Sequence, residues 1–111
     1  MPKTKVIPEK LIELQIRNYL TKLGWLVIKV RTTGRSVNNR FIPLPEEELG
    51  VADLIACSKD GLFHALEIKS SKGKLSDHQI AFAHRVTRAG GRHAVLRSLE
   101  DAIEYVRKHY P

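Results

Sequence analysis

The chain has 111 residues, enough for one hydrophobic core and too few for two. Nineteen Lys and Arg against twelve Asp and Glu leave a net charge of +7, which suits a polyanionic partner and equally describes a plain basic protein. No run approaches the roughly 18 apolar residues of a membrane span, the N-terminal MPKTKVIPEK lacks the apolar core of a signal peptide, and the single cysteine, Cys57, lies in the apolar run LIAC, where a buried reduced thiol is expected rather than a disulfide. These features predict an intracellular, cytoplasmic protein with no membrane partner, built as one domain over residues 1–111.

PEKLIELQIRNYLTKLG reads as the first helix: Pro8 suits its opening turn, Gly24 its stop, and Ile12, Ile16, Tyr19, Leu20 and Leu23 share a face. WLVIKVR, residues 25–31, is a β-branched run that predicts the first strand, with Trp25 packing it against a helix. TTGRSVNNRFIPLPEEELG, residues 32–50, carries Gly34, Pro43, Pro45 and Gly50 with little periodicity. A connection of that length in a small protein is functional or mobile. Two apolar strands follow near 51–57 and 62–69, joined at the tight-turn pair Asp60-Gly61. KSSKGKLSDHQ interrupts the pattern, and Ile80, Phe82, Ala83 and Val86 then predict a second helix ending at Gly90-Gly91. RHAVLRS supplies a further strand, and SLEDAIEYVRKHY a last helix opened by the capping pattern Ser98-x-x-Asp101. The predicted order is α-β-β-β-α-β-α.

The charges of the apolar hairpin are its unusual feature. Asp53 stands at the start of one strand, Glu67 and Lys69 at the end of the other. Residues i and i+2 of a strand point the same way, so Glu67 and Lys69 share a face while Ile68 points into the opposite, buried one. If Asp53 lies at the same sheet end, two carboxylates meet, and like charges in proximity call for a cation. A hard divalent metal takes oxygen ligands, keeps some waters and suits phosphate chemistry. The same spacing is met by an Asp that ends a turn and a Glu–Lys ion pair at a strand edge, worth about 0–1 kcal/mol. Spacing alone favours that ion pair.

Asp53, thirteen intervening residues and Glu67-Ile68-Lys69 stand within the ordered series RFIPLP, GVADLIA, DG, LEIKSSKGKLSDHQ, AGG and RSLEDA. This series resembles the PD-(D/E)XK nucleases and, within them, the VRR-NUC (virus-type replication-repair nuclease) domains, over most of the chain. Val51-Ala52 departs from the literal proline of the superfamily motif. The resemblance implies an α/β fold of the restriction-endonuclease type, a three-layer core whose mixed central sheet is flanked by helices. It also implies a metal-dependent DNA endonuclease using Mg²⁺ or Mn²⁺. Asp53, Glu67, the carbonyl of Ile68 and, through water, Glu13 would hold the metal, and Lys69 would orient or activate the attacking water.

Glu13 enters because similar archaeal junction resolvases place an acid eleven residues before the glycine that ends the first helix, here Gly24. It sits about 75° from the centre of the apolar stripe. An ordinary Glu13–Arg17 surface pair competes with this role, and Glu9 is the spare candidate. Gln79 matches the glutamine that the family carries in the helix after the E-x-K strand, while Ser76-x-x-Gln79 is also a capping box. Lys72 and Lys74 beyond the E-x-K strand, with Arg31, Arg35 and Arg40 in or beside the long connection, flank the site as grips on DNA phosphates. Glu46-Glu47-Glu48 reads as a solvated run, and the five histidines show no zinc-like spacing.

Stand-alone VRR-NUC domains and archaeal junction resolvases of this short architecture pair identical subunits, which implies a homodimer cutting branched DNA, four-way (Holliday) junctions above all. Its expected surfaces are Phe41, Ile42 and Leu44 of the long connection and Leu11 and Leu14 of the first helix; both sets equally fit the monomer's own core. The alternative is a catalytically silent nucleic-acid-binding module of the same fold, against which the intact Asp and Glu-x-Lys set counts.

Overall fold

Ile12, Ile16 and Leu20 recur at four-residue spacing on one helix, and all three are buried in the computed structural model of the chain. The structure describes residues 7–30, 35–43 and 49–111. Arg31, Leu44 and Glu46-Glu47-Glu48 therefore lie outside the described residues, as does the side chain of Arg35. In chain order the elements are α1 (Glu9–Lys22), β1 (Leu26–Lys29), β2 (Arg35–Val37), β3 (Arg40–Ile42), β4 (Leu54–Cys57), β5 (Phe63–Ile68), α2 (Asp77–Arg88), β6 (Arg92–Leu96) and α3 (Leu99–His109). No described helix is long and apolar enough to cross a membrane.

The main sheet has the order β1-β4-β5-β6, antiparallel from β1 to β5 and parallel between β5 and β6. A parallel pair cannot be closed by a tight turn, so α2 makes the crossover. One sheet face packs Leu54, Ala56, Leu66, Ile68 and Leu96 against Ile12, Ile16 and Leu20 of α1 and Ala102 of α3. The other places Ala65 and Ile55 under Val86 and Phe82 of α2. The mixed sheet between helical layers is the α/β architecture expected from the sequence. Because both its faces are covered, β5 buries successive residues from His64 to Ile68 instead of alternating.

Residues 32–50 are not a featureless connection. β2 and β3 form a separate two-stranded ribbon turned by Asn38 and Asn39, whose φ of 51° and 62° are those of a type I′ turn. Strands of three residues are too short to show a period, and Asn-Asn is a weaker signal than Asn-Gly, which explains why the sequence reads as loop. The first hairpin strand begins at Leu54, three residues later than expected. Its turn spans five residues: Gly61 N–H donates to Ser58 O (2.8 Å) and Ser58 N–H to Leu62 O (3.2 Å), with Gly61 at φ 84°. Cys57 is a free thiol, half-buried rather than buried.

A polar cluster closes the far end of the sheet. His64, fully buried, reaches Tyr105 Oη through Nδ1 (2.7 Å) and Ser58 Oγ (3.0 Å) and Tyr110 Oη (3.2 Å) through Nε2. Trp25 lies 4.6 Å from the His64 ring and 5.5 Å from Tyr110, centroid to centroid. The tryptophan thus packs against the C-terminal segment as well as the core.

Candidate active site

Leu54 pairs with Leu66, so continuing the β4–β5 register by one residue sets Asp53 opposite Glu67. Directly opposed residues of an antiparallel pair share a face, with Cβ atoms about 5 Å apart. Asp53 is fixed there by its own carboxylate, whose Oδ2 accepts the Ile68 N–H at 2.8 Å. Glu67 is 2% exposed. Its Oε1 accepts from Gln79 Nε2 at 3.0 Å, and its buried Oε2 has no donor, facing only the Asp53 carboxylate, with which it can bond only by sharing a proton. Burial, then the adjoining Asp53 carboxylate, pushes the Glu67 carboxyl up to about 8, against a smaller opposing pull from Lys69. Such a group prefers to be neutral unless a cation joins it.

Gln79 fills both roles that the sequence suggests for it. Ser76 and Gln79 form the full capping box of α2: Ser76 Oγ accepts the Gln79 N–H and Gln79 Oε1 accepts the Ser76 N–H, leaving the Gln79 amide NH₂ for Glu67. The helix start is held in turn by Gly50, at φ 79°, where a Cβ would fall 2.2 Å from the His78 carbonyl. Only glycine lets the chain ahead of Asp53 pass so close.

Lys69 lies one residue past β5, where its N–H still bonds Leu96 O (3.1 Å) and continues the ladder. Its stem lies over Gly73, whose Cβ position is 3.2 Å from Lys69 Cδ. Arg97 Nη1 donates to Ser70 O (2.6 Å) and Gly73 O (2.7 Å), and its backbone N–H is held by Asp101 Oδ2 (2.8 Å). From the other side Glu9 Oε1 accepts the Ser70 N–H at 3.0 Å. The turn that presents Lys69 is therefore gripped between α1 and the start of α3.

A cleft of about 170 Å³ opens beside these groups, lined by Glu9, Lys10, Glu13, Lys29, Asp53 and Ile68. Glu13 lines it while pairing with Lys29 across to β1 at 3.0 Å, not with Arg17 along its own helix. Glu9 is near enough to Glu67 to help raise its pKa. The structure thus gathers Asp53, Glu67, Ile68, Lys69, Gln79 and Glu13 at one sheet end. Lys72 and Lys74 are exposed just past Lys69, and Arg40 is exposed on the ribbon. Lys10, Lys29, Gly50 and Arg97 are additions that sequence reading does not single out. The partners of Lys29 and Arg97 and the close neighbour of Gly50 lie on other elements, and Lys10 reaches the cleft only in the assembled fold, which no local pattern signals.

Among the described residues no three carboxylate, imidazole or thiolate groups close into a cage of their own. Mg²⁺ asks for less, since it keeps several waters and is ordinarily held by one or two carboxylates together with substrate phosphate. A buried carboxylate oxygen lacking a hydrogen-bond donor, opposite a second carboxylate, fits that demand.

The family model of the VRR-NUC domain matches residues 44–100, just over half of the chain. A solved structure described as a VRR_NUC domain is similar in fold, with a TM-score of 0.66 over 93% of this chain and 97% of its own at 22% identity. No curated protein matches. The matched segment includes Asp53, Glu67, Lys69 and Gln79, and the chain belongs to the VRR-NUC domain family.

Proposed function

We propose that the protein is a divalent-metal-dependent endonuclease that hydrolyses DNA phosphodiester bonds, working as a homodimer on branched DNA and on four-way junctions in preference to plain duplex. Membership of a nuclease family points to the reaction class, and the buried Oε2 of Glu67, without a donor and facing the Asp53 carboxylate, is the observation that carries the reading. A binding module gains nothing from two opposed carboxylates beside a phosphate. Asp53, Glu67 and the carbonyl of Ile68 would hold Mg²⁺ or Mn²⁺, with Glu13 acting through water and Glu9 beside it. The bound ion supplies charge neutralisation at the phosphodiester and a more acidic water.

The chain's own groups do the rest. Gln79 holds the Glu67 carboxylate in one orientation. Lys69 presents an ammonium that orients the attacking water and offsets negative charge gathering on the phosphate. Lys72 and Lys74, exposed beyond it, bind neighbouring phosphates without reading sequence. A two-fold dimer offers two equivalent sites and a four-way junction two equivalent strands, so the symmetries match. Leu11 and Leu14 of α1, 45% and 50% exposed, are apolar surface of the kind that dimer needs.

The test is a panel of labelled duplex, flap, single-stranded and four-way junction DNAs, incubated with Mg²⁺, Mn²⁺ or chelator, with light scattering on the same protein. Cleavage is expected with metal only, and is expected to vanish in Asp53→Ala, Glu67→Ala and Lys69→Ala at unchanged circular dichroism. Cleavage in chelator, or undiminished by Glu67→Ala, would remove the assignment. A monomer, or equal rates on duplex and junction, would leave the nuclease standing but remove the dimeric junction resolvase.

A further inference from the structure

Among the described residues, the β2–β3 ribbon pairs with neither edge of the main sheet and takes no part in either hydrophobic cluster. Phe41 is 70% exposed, with Ile42 at 43% and Val37 at 39%. Residues 35–43, RSVNNRFIP, hold two arginines and no acid. We propose that this ribbon is a DNA-engaging arm that lies in a groove beside the cut site, with Phe41 wedged against a base step.

Three features point to nucleic acid as the occupant. Two-stranded ribbons enter DNA grooves, major or minor, and an apolar wedge that unstacks a base step is a common device of arms that bend DNA from the minor groove. Register puts Phe41 across from Ser36 and Arg40 across from Val37, so Phe41 and Arg40 project from opposite faces. An arm within a groove has a wall on each side, and both residues then meet a partner. A second copy docked through the Arg40 face would set arginine against arginine, and one docked through the Phe41 face would make Phe41→Ala a monomer.

The position also suits. Val30 N–H bonds Asp53 O at 2.9 Å, so the last described residue ahead of the ribbon stands at the catalytic end of the sheet. Five residue steps separate Val30 from Arg35, a reach of at most about 17 Å. At roughly 3.4 Å per nucleotide along a strand, the base of the arm stands within about five nucleotides of the sheet end that carries the cleft. The inference rests on the nuclease reading for the location of the cut, but the arm's contact with DNA needs no chemistry.

The experiment uses the full chain in chelator with synthetic four-way junctions carrying 2-aminopurine at successive positions of one arm. Binding is expected to raise the fluorescence severalfold at one position, where the base is unstacked. Phe41→Ala should abolish that rise and weaken binding roughly tenfold, within the worth of one base–aromatic stack. Phe41→Trp should keep both. No rise at any position with the wild type, an unchanged rise in Phe41→Ala, or a Phe41→Ala protein that turns from dimer to monomer would each overturn the arm. A protein that unstacks the base yet never cuts with metal would refute the nuclease reading alone.

Discussion

Glu67 concentrates the tension of the site in one side chain. Its carboxyl is buried, half-satisfied by Gln79 and opposed by Asp53, so the metal-free protein bears the cost of an incompletely paired polar group, on the order of 1–3 kcal/mol. Glu67→Gln removes the proton that folding must otherwise add to this carboxyl, keeps the shape and leaves an amide that can turn either atom towards Gln79. The metal-free variant should therefore melt above the wild type, by about 4–8 °C for each kcal/mol regained. Mg²⁺ binding only the folded state should raise the wild-type melting point and leave that of the variant nearly unmoved. Calorimetric melts with and without Mg²⁺ check both, and a variant that melts lower without metal and responds equally to it would mean that Glu67 is an ordinary buried acid. Glu13 makes a second case at this scale. It faces the cleft while Arg17 does not line it, so Glu13→Gln should slow cleavage more than Arg17→Ala. Equal small effects would reduce Glu13 to the counter-ion of Lys29.

The turn between β5 and α2 owes its shape to elements distant in sequence. Arg97, at the start of α3, spans to Ser70 and Gly73, and charge-assisted bonds of that kind are about twice as strong as neutral ones. Arg97→Met leaves both carbonyls to water and frees the segment that aims Lys69. The cleavage step should slow about tenfold while the salt dependence of DNA binding, set by phosphate contacts, stays as it was. Single-turnover cleavage beside binding titrations separates the two, and a change in affinity alone would make Arg97 a DNA contact instead. The same dependence on distance decides what the sequence discloses. α1 was legible because Ile12, Ile16 and Leu20 repeat at helical spacing, and the β4–β5 hairpin because two apolar runs flank Asp60-Gly61. The α2 cap was legible because Ser76 and Gln79 are three residues apart. Glu67, Lys69 and Asp53 came from an ordered motif, while the burial of Glu67 could not, since it is α2 folding back that covers it. Lys29 facing Glu13, Gly50 under His78 and Arg97 over Gly73 are products of the assembled fold.

Across the whole molecule, the end of the sheet away from the cleft is where the chain is tied together. His64 of β5, Ser58 and Asp60 of the hairpin turn, Tyr105 of α3 and Tyr110 beyond it share one hydrogen-bonded cluster against Trp25. Burial first, then the neighbouring Arg92 and His109 charges, holds the His64 imidazole down to about 4, with Asp60 opposing. Between about 4 and 6.5 the unfolded chain therefore takes up a proton on this residue that the folded chain refuses, and stability rises with pH through that window. The full span corresponds to something on the order of 3 kcal/mol. His93, also lowered by burial, acts in the same sense, and Glu67, raised by burial, acts in the opposite one in the metal-free protein. The wild-type curve is thus a composite, but the difference from His64→Gln isolates the ring, because glutamine keeps hydrogen-bonding groups and does not titrate. Wild type should exceed His64→Gln in stability at pH 7.5, and the excess should shrink steadily as pH falls from about 6.5 towards 4. Denaturant melts read by the fluorescence of Trp25, the single tryptophan of the chain, measure the closing of that gap. An excess that stays constant between pH 4 and 7 would mean that the imidazole has the same proton affinity folded and unfolded, and that the cluster holds the C-terminus by packing without any linkage to pH.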